Sequence, residues 1–196
     1  MIVDIFKIPL YGTTLDLDTS LYNDYAWKYQ ETNVSEVKSN VLGYHSSNLL
    51  GGSIDPLIKD LKAAILPHCV KFADALDYYS DRVTIDNMWF NISLFKDYNK
   101  EHIHPNSVLS GVWYSDVPEN SGNIEFIHPS DGIQYTNNFT TLREDNNRYT
   151  ANLWHYEAKP NTLYLFPGWL KHRVTVNKSE KARISYSFNC VIGAPK

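Results

Sequence analysis

Leu17, Leu21, Tyr25 and Tyr29 recur every four residues, which predicts a first helix over residues 16–31 with one apolar face; Trp27 falls off that stripe. A second stripe, Ile54, Leu57, Ile58, Leu61 and Ile65, follows Ser53, a good N-cap, with Pro56 fitting the first turn. Pro67 is expected to end or kink this second helix near Leu66, while Val70, Ala73 and Leu76 carry a helical face on to about Tyr79. Ahead of both helices, residues 2–10 alternate weakly and read as a strand. Residues 33–52 between them are polar, and Gly51-Gly52 marks a break.

After Asp81 the period changes from helical to alternating. Residues 83–85 and 88–95 are rich in β-branched and aromatic side chains, as strands are. Further strand-like runs cover 108–116, 123–127, 153–158, 162–166, 173–176 and 183–191. Turn chemistry separates them at 118–122, 131–132, 159–161 and 177–180. Residues 134–152 form a long polar stretch, expected to be a loop or lid. Helices first and many short strands afterwards predict an α+β chain, mainly β. Strands in that number close into a jelly roll or barrel, with the helices on one outer face. With no repeat or linker, residues 1–196 read as a single domain.

Strand faces turn this fold into a candidate site. In 183–191, Arg183, Ser185, Ser187 and Asn189 share one face, and Ile184, Tyr186, Phe188 and Cys190 share the other. A sheet with one solvated face gives the same alternation. Ser110, Val112 and Tyr114 share a face that mixes polar tips with apolar bulk, which favours an interior pocket lined by Ser110, Tyr114, Arg183 and Ser187. Ile184, Tyr186 and Phe188 then pack outward under the helices. Gly111, inside its strand, predicts close approach of another element.

Composition narrows the function. A net charge of −4 offers no basic field for nucleic acid. No apolar run approaches the roughly 18 residues of a membrane span. The first residues lack the basic start and long apolar core of a secretory signal. Cys69 and Cys190 read as free buried thiols, so the expected location is cytoplasmic. With 14 Tyr and 5 Trp, the chain is rich in aromatics whose polar tips suit half-buried sheets or pocket walls.

The histidines supply candidate chemistry. His102 and His104, two apart on an extended segment, point to one side, and His172 arrives on a distant strand. Three imidazoles suit Fe, Zn, Cu or Ni and leave positions open for other ligands. Arg183 follows at a distance that suits an acidic co-substrate. No carboxylate stands two residues after His102; if His104 were the first ligand, Asn106, a weaker donor, would be the second. Glu101 and Asp116 read as turn caps, and Glu125 reaches the pocket only if its face matches. His45 reads as a loop residue, His68 as partly exposed, His128 as a reserve ligand and His155 as a packing residue.

The order His102-x-His104-Pro105, Leu109-Ser110-Gly111-Val112-Trp113-Tyr114, Leu165-Phe166-Pro167-x-Trp169-Leu170-x-His172 and Arg183-Ile184-Ser185-x-Ser187-Phe188-Asn189 resembles a family of 2-oxoglutarate- and Fe(II)-dependent oxygenases related to the prolyl 4-hydroxylases. The resemblance covers about residues 89–189. It implies a double-stranded β-helix, a jelly roll with iron at its open end. It also implies a dioxygenase that consumes O2 and 2-oxoglutarate, releases succinate and CO2, and hydroxylates a substrate. Carried over, His102 and His172 are metal ligands, and His104 falls where the hydroxylases usually have aspartate. Arg183 matches the arginine on the distal carboxylate of 2-oxoglutarate and Tyr114 a tyrosine donating to the same group. Ser110, Ser187 and Asn91 are added as candidate co-substrate contacts. Trp113, Trp169 and the 134–152 loop are expected at the substrate mouth. A small-molecule or peptide substrate is implied, and a homo-oligomer stays open. Two other readings stand beside this one: a cupin-type three-histidine dioxygenase without 2-oxoglutarate, and a non-enzymatic β-sandwich with incidental histidines.

Overall fold

The structure is a computed structural model and describes residues 1, 3, 5–130, 132–137 and 147–193. Strand β1 (Tyr11–Thr14) leads into helix α1 (Thr19–Thr32), the short strands β2 (Asn40–Val41) and β3 (Tyr44–His45), and helix α2 (Pro56–Ala75). A 3₁₀ turn, Ser80–Arg82, opens the β-rich part: β4 (Val83–Ser93), β5 (Tyr98–His102), β6 (Leu109–Asp116) and β7 (Ile124–Ile127). A short helix α3 (Gly132–Asn137) follows, then β8 (Leu153–Tyr156), β9 (Thr162–Pro167), β10 (His172–Val174) and β11 (Arg183–Ile192). Among the described residues, no helix is long and apolar enough to cross a membrane.

The helices differ from the sequence reading in phase and ends. In α1 the buried residues are Tyr22 and Ala26, with Tyr25 and Tyr29 packed beside them, and Leu21 is 52% exposed. A strict four-residue stripe drifts around a 3.6-residue helix, so Leu21 has rotated off the packed face. Asp18, whose carboxylate accepts the Ser20 N–H at 3.1 Å, caps α1. Asp55, not Ser53, caps α2, accepting the Leu57 N–H at 2.9 Å. Pro67 does not end α2. Its ring faces solvent, where water can satisfy the carbonyl it leaves unpaired, and Ile58, Leu61, Ile65, Cys69, Phe72 and Ala73 stay buried on one face across it.

Two antiparallel sheets face each other. The larger has the order β1-β9-β6-β11-β4-β3 and the smaller β2-β5-β10-β7-β8. Together with the helices this is the double-stranded β-helix expected from the sequence. The helices cover the outer face of the large sheet: Met88, Phe90, Ile92, Trp113, Ile184, Tyr186 and Phe188 share one core with residues of α1 and α2. Tyr186 Oη donates to the Tyr22 carbonyl at 2.6 Å, and Tyr22 meets Trp113 edge-on with centroids 4.8 Å apart. A second cluster between the sheets contains Val112, Tyr114, Ile124, Phe126, Ala158, Phe166 and Leu170.

The expected runs 83–85 and 88–95 form one strand joined by a bulge, except that it ends at Ser93, and Leu94 and Phe95 lie beyond it. Asn189 pairs with Asn87 and Cys190 with Ile85, so Asp86 is the extra residue. It shifts the buried apolar set from Val83 and Ile85 to Met88, Phe90 and Ile92 without leaving the helix side.

Several expectations fail locally. Residues 5–10 form no strand; pairing begins at Tyr11, opposite Leu165, and Ile5 and Phe6 stay exposed. β2, β3 and β5 lack alternation and exist through pairing, β5 between β2 and β10. Helix α3 overlaps the start of the expected 134–152 loop; residues 138–146 of that loop are outside the described residues.

Gly111 shows the close approach expected of it. A Cβ there would run into the Phe188 ring and come within 2.7 Å of Leu165 Cδ2. Gly111→Ala should therefore destabilise the protein by about 1–3 kcal/mol through overpacking. The urea midpoint should fall at constant slope; an unchanged midpoint would contradict this packing.

Candidate active site

His102 closes β5 and His172 opens β10, and the two residues are direct register partners. His104 lies two residues past the strand end, where its N–H donates to the Gly168 carbonyl at 2.9 Å. This bond ties the segment to the Pro167-Gly168-Trp169 turn that delivers His172. The ring centroids are 5.2 Å apart for His102 and His104, 4.3 Å for His102 and His172, and 5.0 Å for His104 and His172. One ligand-capable atom from each lies within 4.8 Å of the others.

The second nitrogen of each ring is occupied. His102 Nδ1 bonds to the Lys100 carbonyl at 2.7 Å and His172 Nδ1 to the Leu170 carbonyl at 2.8 Å. His104 Nδ1 makes a short bond to Asn189 Oδ1. All three acceptors lack a proton, so each Nδ1 donates and each Nε2 keeps its lone pair for a metal. Desolvation is the main cause that holds these imidazoles below their ordinary value: His102 is lowered, His104 falls to about 4 and His172 to about 3. For His172 the neighbouring His102 adds to the lowering, while for His104 the bond to Asn189 opposes it. The set is neutral at pH 7, as metal ligation needs.

Among the described residues no carboxylate joins the cluster. Glu125, in register with Arg173, turns outward and pairs with it at 2.7 Å. Glu101 pairs with Lys171 at 3.1 Å on the surface. Asn106 is exposed in a left-handed turn with φ 66°.

Arg183 is 2% exposed and points into the space between the sheets. Its Nη1 donates to the carbonyls of Ser121 at 2.7 Å and Gly122 at 3.3 Å, and its buried Nε has no partner. No ion pair forms between it and a carboxylate among the described residues. Burial lowers its pKa, while Tyr114 and Asp97 oppose that shift. Burial pushes the Tyr114 phenol well up, so it is a neutral donor. A buried guanidinium with an unpartnered N–H beside a phenol is a site for a planar acid.

A void of about 50 Å³ joins this floor to the histidines; Asn91, Tyr114, Arg183, Ser185 and Ser187 line it with all three imidazoles. Asn91 Oδ1 is buried there without a partner. Outside, sharing His102, His104 and Trp89, a cavity of about 590 Å³ opens to solvent.

The structure thus brings together His102, His104, His172, Arg183, Tyr114, Ser187 and Asn91. Ser110 is the exception. It shares the inner face of β6 but pairs with Asn189, roughly four residues or 13 Å along the strand from Tyr114, and its hydroxyl donates to Asn189 Oδ1 at 2.8 Å. Trp113 is fully buried under the helices and not at the mouth; its odd position in β6 sets it opposite Val112 and Tyr114. Trp169 is half exposed. His155 is exposed and not packed, and His128 binds the Ser130 N–H away from the cluster. Trp89 and Asn189 were given no site role from the sequence, and His45, expected in a loop, is buried on β3. Trp89 stacks on His45 with centroids 5.5 Å apart and lies 5.7 Å from His104. Its even spacing from Asn91 on β4 was the available signal.

A family model described as "Putative 2OG-Fe(II) oxygenase" matches residues 87–189, more than half of the chain. Among curated proteins, none matches in sequence. Solved structures share the fold. AviO1 from Streptomyces viridochromogenes is 14% identical with a TM-score of 0.67, over 96% of this chain and 92% of that one. A Pseudomonas putida prolyl-4-hydroxylase is 11% identical with a TM-score of 0.63, over 93% and 92%. HygX from Streptomyces hygroscopicus, with nickel and 2-oxoglutarate bound, is 10% identical with a TM-score of 0.62, over 93% and 82%.

Depressed histidines link stability to pH. Unfolded histidines protonate near 6.5, roughly, but His104 and His172 in the fold only near 4 and 3. Between those limits the unfolded chain binds more protons, so stability falls as pH drops from about 6.5 towards 3. The urea midpoint of metal-free protein should drop between pH 7 and pH 4, and His172→Gln should flatten part of that slope. An identical slope in the variant would contradict the assignment.

Proposed function

Because the chain belongs to the 2OG-Fe(II) oxygenase family, whose members are enzymes, we propose that it is a non-haem Fe(II)- and 2-oxoglutarate-dependent dioxygenase. It hydroxylates a small-molecule or peptide substrate that is not yet identified. His102, His104 and His172 hold the iron through Nε2. Arg183 and Tyr114 bind the distal carboxylate of 2-oxoglutarate, with Ser187 and Asn91 beside it. One observation carries the reading: three neutral imidazoles and a buried guanidinium, which forms no ion pair with a carboxylate among the described residues, face the same void between the sheets.

The donor set fits both groups. Iron accepts imidazole nitrogen, and the tautomers leave each Nε2 free for it. An acid on Arg183 satisfies its orphaned Nε, whose burial otherwise costs about 1–3 kcal/mol or more. When bound, iron and 2-oxoglutarate supply O2 activation, with succinate and CO2 as co-products and a hydroxylated carbon on the substrate. The chain's own part is to bind, orient and desolvate. Arg183 and Tyr114 fix one end of the co-substrate, Val112, Ile124 and Phe166 keep water from its flank, and the Trp89-walled cavity gives the substrate access to the histidine end. Ser110 is left out of this assignment because its hydroxyl is engaged by Asn189.

The absence of a carboxylate from the cluster among the described residues favours a second reading, a three-histidine dioxygenase that does not use 2-oxoglutarate. Anaerobic titration with Fe(II) and 2-oxoglutarate separates the two. The proposal expects the visible charge-transfer band of the chelate, and succinate release once oxygen and a substrate are admitted. Arg183→Ala should weaken 2-oxoglutarate binding roughly thirtyfold or more, since truncating one side of a buried charged pair costs about 2–5 kcal/mol. His172→Ala should abolish the band. Metal binding with no band and no succinate favours the second reading.

A further inference from the structure

We propose that Asn189 is the positioning residue that makes His104 a metal ligand. Its side-chain oxygen holds the His104 ring in the tautomer and rotation that present Nε2. The inference rests on the reading of His102, His104 and His172 as the ligand set.

The three histidines are secured in different ways. His102 and His172 each donate Nδ1–H to a backbone carbonyl two residues earlier, so ring and acceptor are built into the same local chain. His104 lies beyond the end of β5 and has no such carbonyl. Its Nδ1 bonds instead to a side chain 85 residues away, on β11. Packing against Trp89 and Phe166, with centroids 5.7 and 6.3 Å away, confines the ring. Neither of those rings hydrogen-bonds to His104, so the contacts do not choose between its two nitrogens. The hydrogen bond chooses.

Asn189 is itself held in place. Ser110 Oγ donates to the same Oδ1 at 2.8 Å, and Ser107 Oγ lies 3.1 Å from Ser110 Oγ. The amide oxygen of Asn189 thus faces both the His104 ring and the Ser110 hydroxyl. The backbone of Asn189 is paired on both sides, to Asn87 of β4 and Ser110 of β6. It stands at the bulge that accommodates Asp86, and such irregularities re-aim side chains next to functional sites. An amide here supplies an acceptor without a charge, so it selects the tautomer and leaves the ligand set neutral.

The test is Co(II) binding to the full chain at pH 7, followed by the visible absorption of the bound ion and by calorimetry, without 2-oxoglutarate or turnover. Asn189→Leu removes the acceptor at similar volume and should weaken Co(II) binding about 10–100-fold, the usual effect of losing an outer partner of a ligating histidine. Asn189→Asp keeps the acceptor and should bind at least as tightly as the parent protein. In a His104→Ala background, Asn189→Leu should have no further effect, which a general structural role would not produce. Parent-like affinity in Asn189→Leu overturns the proposal. So does a folded Asn189→Asp that binds as weakly as Asn189→Leu. If Asn189→Leu does not fold, Asn189→Ser, whose hydroxyl falls short of His104, is read in the same way. His172→Ala tells the two readings apart: unchanged Co(II) binding in that variant removes the three-histidine site itself, whereas abolished binding there with parent-like Asn189→Leu removes only the role of Asn189.

Discussion

Register along β11 is the constraint on which the site depends. This strand lies between β4 and β6 and pairs with both. Its even positions, Ile184, Tyr186, Phe188 and Cys190, are fully buried on the helix side. Its odd positions face the other sheet. A slip of one residue would place Arg183 under the helices and Ile184 in the void, exchanging a desolvated charge for an apolar group across the whole strand. The bulges at Asp86 and Ser115 therefore matter. Each inserts one residue opposite β11 where a partner strand must change phase, and β11 itself stays in step. The apolar face that anchors the helices and the polar face that carries Arg183 and Asn189 are two sides of one alternation.

That alternation explains what could be read before the fold was known. Residues 183–191 carry a clean period of two with different chemistry on each side, so Arg183, Ser187 and the outward Tyr186 and Phe188 were legible. His102 and His104 were legible because a short extended segment cannot separate them, and His172 because a turn signal precedes it. β5 was not legible as a strand. Tyr98-Asn99-Lys100-Glu101-His102 has no apolar face, and pairing with β2 and β10 holds it extended. Trp113 was misassigned by residue type when phase decides: with Val112 and Tyr114 inside, position 113 must face the helices. Asn189 looked like one more polar residue on an inner face. Its importance comes from a partner 85 residues away, and no local pattern encodes that distance. Ser110 was placed with Arg183 by face alone, which ignores position along the strand; the same pairing that gives it Asn189 takes it away from the floor of the void.

Around the cluster the chain supplies three neutral imidazoles, and two of the acids weighed from the sequence, Glu101 and Glu125, are turned outward onto Lys171 and Arg173. Further in, the void ends on Arg183, which forms no ion pair with a carboxylate among the described residues and has buried Asp97 acting on it at longer range. The guanidinium charge is thus only partly offset before any metal enters, and a divalent ion adds to the positive side. In a desolvated space a positive excess is costly unless an anion accompanies it. Under the proposed roles a dianionic co-substrate is that anion: one carboxylate meets the metal and the other meets Arg183. Metal and co-substrate then favour each other's binding more strongly than they would beside a carboxylate ligand, which would already have neutralised part of the ion. Under those roles His104 in place of an acid leaves the site with one negative charge fewer around the same dianionic co-substrate, and the neutral amide of Asn189 behind that ring adds none.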